Sequence, residues 1–115
     1  MARPGRPKMK RDPSPEVLVA FLDMLTAERG AAKNTRDAYE RDILDFNKFI
    51  KEDETTLETA ATSDIEDYLE ELTDRNNVKN KGDKTAVRTI ARRISALRQF
   101  YGFLLSEGTR SDDPT

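Results

Sequence analysis

Residues 84–106, KTAVRTIARRISALRQFYGFLLS, set Val87, Ile90, Ile94, Leu97, Tyr101 and Leu104 at steps of three, four, three, four and three. That spacing keeps one apolar stripe on a single side of a helix and is foreign to the two-residue repeat of a strand. At about 100° per residue, Thr85, Arg88, Arg92, Ser95 and Gln99 fall on the side opposite the stripe. Two arginines and three hydrogen-bonding side chains therefore share a solvent face.

Three further amphipathic segments precede this one. Val17, Leu18, Phe21, Leu22 and Leu25 recur at helical spacing until Gly30, with Ser14 as N-cap and Pro15 at the first helical position, which predicts a helix over 15–28. Tyr39, Ile43, Phe46 and Ile50, widened by Phe49, predict a second helix capped by Asn34 or Thr35 and ending near 51. Ser63 and Glu66 form an S-x-x-E capping box ahead of Ile65, Tyr68, Leu69 and Leu72, so a third helix is expected up to about 74 with an acidic outer face. No alternating strand pattern occurs, and the fold class is all-α, four helices over residues 14–110. Residues 1–13 hold three of the five prolines among basic residues and read as a disordered basic arm. Between Arg75 and Gly82 only Val78 is apolar, the composition of an exposed, mobile loop.

With 115 residues the chain fits one domain and one modest core. The absence of cysteine and histidine excludes disulfides, thiol or imidazole catalysis and the usual zinc sites; no cofactor, metal or catalytic residue is assigned. No apolar run approaches the length of a membrane span and no signal region follows the basic start, so a cytoplasmic, membrane-free protein is expected.

The net charge of -2 conceals a strong segregation. Residues 1–11 carry Arg3, Arg6, Lys8, Lys10 and Arg11 with no acid, and residues 12–78 hold 18 acids against 7 bases. Residues 79–98 reverse the sign, with Lys79, Lys81, Lys84, Arg88, Arg92, Arg93 and Arg98 against Asp83 alone. An exposed arginine is ordinarily no more than a solubilising group. Here the arginine face follows a basic loop, lacks acids at i, i+4, and is interleaved with Ser, Thr and Gln, which suits contact with phosphates and base edges. Double-stranded DNA is the expected partner.

Other constellations carry less. Arg3-Pro4-Gly5-Arg6-Pro7-Lys8 resembles a minor-groove AT-hook, but Pro4 stands where that core places its first arginine, and a generic phosphate-binding arm fits better. Asp64 with Asp67 and Glu66 with Glu70 lie one turn apart, but read as a solvated face rather than a cation site. Tyr39, Tyr68 and Tyr101 sit on packing stripes, with hydroxyls expected at the rim, and none has an activating partner.

Three segments together resemble the N-terminal core-binding (SAM-like) domain of tyrosine recombinases of the Xer type. They are Phe21-Leu22 through Glu28-Arg29-Gly30, Asn34-Thr35, Ala38-Tyr39 and Arg41-Asp42-Ile43; then Ala91-Arg92-Arg93-Ile94-Ser95-Ala96-Leu97-Arg98-Gln99-Phe100-Tyr101; and the terminal Asp112-Asp113-Pro114-Thr115. The resemblance implies an orthogonal four-helix bundle forming half of a C-shaped clamp, with the second and fourth helices across the major groove. It adds Asn34, Thr35, Arg36 and Arg41 to Lys79, Lys81, Lys84, Thr85, Arg88, Arg92, Ser95 and Gln99 as candidate DNA contacts. It further implies that residues 111–115 begin a linker to a catalytic domain outside this chain, that Met1 starts an N-terminal piece, and that other recombinase subunits are partners of the whole protein. Two other classes remain open: a helical module docking a basic protein on its acidic third helix, and a standalone DNA-binding repressor of a recombination site.

Overall fold

The computed structural model describes residues 15–75 and 84–115, with the backbone alone at 75 and 84–86. Lys79, Lys81 and the arm 1–13 lie outside it. Four helices make up the described fold: α1 (Glu16–Arg29), α2 (Lys33–Lys51), α3 (Thr62–Arg75) and α4 (Lys84–Ser106). α2 and α4 pack on each other, and each also packs on α1 and α3, which do not meet. The central α2–α4 pair is thus flanked by α1 on one side and α3 on the other. Among the described residues no helix is long and apolar enough to cross a membrane.

The expected stripes supply most of the core. Leu18, Phe21, Leu22 and Leu25 of α1, Ile43, Phe46 and Ile50 of α2, Ile65, Tyr68 and Leu72 of α3, and Leu97, Phe100, Tyr101 and Leu104 of α4 are all buried. Aromatic edges tie the helices together: Phe21 meets Tyr39 and Phe100 edge-on at 5.8 and 5.5 Å, and Phe46 meets Tyr68 and Tyr101 at 5.0 and 6.4 Å. Each such pair contributes about 0.5–1.5 kcal/mol beyond its burial. The N-terminal part of the α4 stripe departs from expectation, because Val87 is 53 % exposed and Ile90 and Ile94 are only partly buried. α4, with 23 residues, is longer than α1 and α3, with 14 each.

Helix starts also differ from the expected caps. Pro15 itself occupies the N-cap of α1, while Ser14 lies outside the described residues. α2 starts from Ala32, whose carbonyl accepts the Arg36 N–H at 3.0 Å, so Asn34 and Thr35 fall inside the first turn rather than before it. At α3 the acid that reaches back is Asp64, whose Oδ2 accepts the Ala61 N–H at 2.8 Å; the cap thus sits before Ser63 and Glu66. Between α1 and α2, Gly30 takes the left-handed conformation with φ 62°, and the N–H groups of Gly30 and Ala31 close on Thr26 and Leu25.

The segment between α2 and α3, to which the sequence pattern assigns no element, contributes Leu57 and Ala60 to the core. Arg110 is anchored against it. Its Nη1 donates to the Ala60 carbonyl at 2.7 Å, its guanidinium lies 5.2 Å from the Tyr101 ring centre, and Asp112 binds the remaining edge at 3.0–3.2 Å. Pro114 is buried beyond it.

Candidate nucleic-acid interface

An earlier helix start leaves a polar face open on α2. With the cap at Ala32, the side chains of Asn34 and Thr35 are not used for capping, and they line one wall of a groove with Ala38, Tyr39 and Asp42. Arg92, Ser95 and Ala96 of α4 form the other wall, and the groove encloses about 350 Å³. Four expected residues, Asn34, Thr35, Arg92 and Ser95, are therefore brought together.

The face of α4 is acid-free only along its own helix. Asp42 crosses from α2, 2 % exposed, and accepts Nε of Arg92 at 3.1 Å and Nη2 at 2.9 Å. Arg93 stands behind it, with Nε 4.0 Å from Asp42 and Nη1 2.8 Å from Asp45, and Tyr68 donates its hydroxyl to Asp45. The face lacks acids at i, i+4 as expected, but the acid partner of Arg92 comes from another helix, which i, i+4 counting cannot see. A buried carboxylate needs such pairing, since leaving it without partners would cost several kcal/mol. Asp42 was nonetheless detectable, for it lies three residues after Tyr39 and four before Phe46, on the apolar side of α2.

The remaining candidates are dispersed. Arg88 and Arg41 are exposed on α4 and α2, outside the groove lining. Arg36 is half-buried and its Nε has no hydrogen-bond partner. Gln99 turns towards α1, where its Oε1 accepts Nη1 of Arg29 at 2.9 Å, and it lines a second groove of about 410 Å³ with Glu28, Arg98 and Glu107. Lys84 and Thr85 occupy the first turn of α4. Lys33, absent from the sequence-based candidates, is exposed at the start of α2 and pairs with Asp37 at 3.0 Å.

Two tyrosines are fixed in their protonated form. Burial foremost, and then the Asp45 hydrogen bond, pushes the Tyr68 hydroxyl well above the usual tyrosine range. Tyr101 is raised likewise, chiefly by burial, and donates at 2.8 Å to the Leu57 carbonyl, inside the core rather than at its rim.

Comparison with known proteins agrees with this architecture. Residues 18–108 match the family "Phage integrase, N-terminal SAM-like domain". The chain is 46% identical over 104 residues to tyrosine recombinase XerD of Rhizobium meliloti (strain 1021), covering 90% of this chain and 31% of that protein. Tyrosine recombinase XerD of Agrobacterium fabrum is 42% identical over 111 residues, which is 96% of this chain and 30% of that protein. Tyrosine recombinase XerC of Listeria monocytogenes serotype 4b is 39% identical over 95 residues, or 82% of this chain and 29% of that protein. No solved structure matches. The chain spans about three tenths of the length of these relatives. Four helices with the expected stripes and a family match across nearly all of them lead to one assignment: the chain belongs to the phage integrase N-terminal SAM-like domain family.

Proposed function

We propose that this domain binds double-stranded DNA through the α2–α4 face and serves as the N-terminal half-clamp of a site-specific tyrosine recombinase. The observation that carries the reading is the groove in which Asn34, Thr35, Ser95 and Arg92 converge from two helices. Amide, hydroxyl and guanidinium groups are the side chains that contact phosphate oxygens and base edges, and here they share one concave face. The exposed Arg88 and Arg41 flank it with positive charge, and the sequence of residues 79–98 is strongly basic. The family match supports the same role, since the relatives are named as recombinases. Strand cleavage, resolution of chromosome dimers or DNA integration, and contacts with other recombinase subunits belong in this proposal to the whole protein.

The test is a fluorescence anisotropy titration of the 115-residue chain with duplex DNA over a series of salt concentrations. Neutralising about five phosphates predicts a log–log slope of about -4 to -5. Failure to bind any duplex at low salt would overturn the proposal. The exposed acids Glu66, Asp67 and Glu70 on α3 favour the second reading, docking of a basic protein. Amide shifts on adding duplex separate the two: residues 33–41 and 88–95 should move for DNA, and unmoved groove residues would leave α3 as the binding face.

A further inference from the structure

A guanidinium can meet DNA as a mobile positive charge against phosphate or as a fixed fork against a base, and the surroundings of Arg92 distinguish the two. Its Nε and one hydrogen of Nη2 are occupied by the two oxygens of Asp42. A guanidinium carries five N–H groups, so the opposite edge, with one hydrogen from each Nη, remains an intact fork. Nη1 has no acceptor among the described residues, and the side chain is 49 % exposed. The inner edge is held while the outer edge stays available.

Arg92 is also prevented from swinging away. If it left, Asp42, 2 % exposed, would keep among the described residues only Arg93 at 4.0 Å as a cationic partner. The cost of stranding a buried carboxylate holds the arginine in place before any DNA arrives, so the rotamer freedom that a free arginine loses on binding is already gone. Charge points the same way. Arg92 and Arg93 are matched by Asp42 and Asp45, and a balanced cluster exerts little net attraction on a phosphate. What such a cluster retains is direction, and the DNA group with two acceptors at the spacing of a guanidinium fork is the O6/N7 edge of guanine in the major groove.

Resting on the DNA-binding reading, we infer that Arg92 is a preoriented reader of a single guanine, and that Asp42 is the positioning residue that holds it without touching DNA. Asn34, Thr35 and Ser95 line the groove around this fork.

The experiment uses the 115-residue chain and duplexes it selects from a pool randomised at the centre. Each guanine of a selected duplex is replaced in turn by 7-deazaguanine, which removes the N7 acceptor and keeps O6 and the base pairing. The wild-type chain is expected to lose on the order of 10-fold in affinity at one guanine. Arg92→Ala, which removes the fork, and Asp42→Asn, which loosens it, should show no penalty at that guanine. A slope reduced by about 0.9 in Arg92→Ala, with sensitivity to 7-deazaguanine retained, would make Arg92 a phosphate contact and overturn the inference. A full penalty in Asp42→Asn would remove Asp42 from the account. If Asp42→Asn does not fold, the Nε proton of Arg92 in the free wild-type chain decides the point. Slow exchange with solvent supports positioning, and exchange as fast as that of Arg88 overturns it. A wild-type chain that binds duplexes but has no sensitive guanine ends this inference alone, whereas one that binds no duplex ends the DNA-binding reading beneath it.

Discussion

Tyr101 shows how one side chain serves packing and polarity together. Its ring is fully buried against Phe46 and Phe100, and its hydroxyl donates to the Leu57 carbonyl on the α2–α3 connection. Tyr101→Phe removes that bond and should cost about 1 kcal/mol in urea unfolding at neutral pH. The sign of the pH effect follows from linkage. Tyr68 and Tyr101 keep their protons in the folded chain at pH values above 10.0, the ordinary tyrosine pKa that applies to the unfolded chain. The unfolded state therefore binds fewer protons above that pH, so the stability is fully present below it and is lost as pH rises. The loss should be about 1.4 kcal/mol per pH unit for each tyrosine, and Tyr101→Phe should reduce the alkaline slope by that amount. Equal alkaline slopes for wild type and variant would show that the hydroxyl is not held as described.

At the scale of elements, the turn from α1 to α2 aims the N-terminal turn of α2 at α4. Gly30 sits at φ 62°, and a Cβ built there meets nothing within 4 Å. The penalty of Gly30→Ala is thus one of backbone conformation alone, about 1 kcal/mol, and it should appear as a lower thermal midpoint with little change in duplex affinity. A much larger loss would mean that the turn carries packing the structure does not show. The existence of all four helices, and the end of α4 at Ser106, were legible in the apolar spacing because core burial imposes that period. The starts were less so. Asn34, Thr35 and Ser63 are good caps by residue type, but residue type cannot say which of several neighbouring positions the chain uses, and α2 begins from an alanine. Half of the groove was legible in the wheel of α4. The other half was not, since the pairing of Arg92 with Asp42 spans 50 residues and the turning of Gln99 to Arg29 spans 70.

For the molecule as a whole, the segregation of charge matters more than its sum. Acids Glu52, Asp53, Glu54 and Glu58 on the α2–α3 connection and Glu66, Asp67, Glu70 and Asp74 on α3 are exposed, while the exposed Arg41 and Arg88 mark the α2–α4 side. A polyanion approaching this domain is repelled from one side and drawn to the other, so its orientation is set before any base is met. Residues 1–11 add five bases and no acid to the attractive side of the balance. With five positive charges, their contribution should be counterion release along the backbone. Deleting them should therefore weaken binding to every duplex by a similar factor and lower the log–log salt slope by at most about 4 to 5. Titrations of the full and shortened chains against a selected duplex and a scrambled one measure this directly. Loss of preference for A·T-rich duplex alone would instead show that Arg3 and Arg6 enter the minor groove, and the partial AT-hook would then be a reader in its own right.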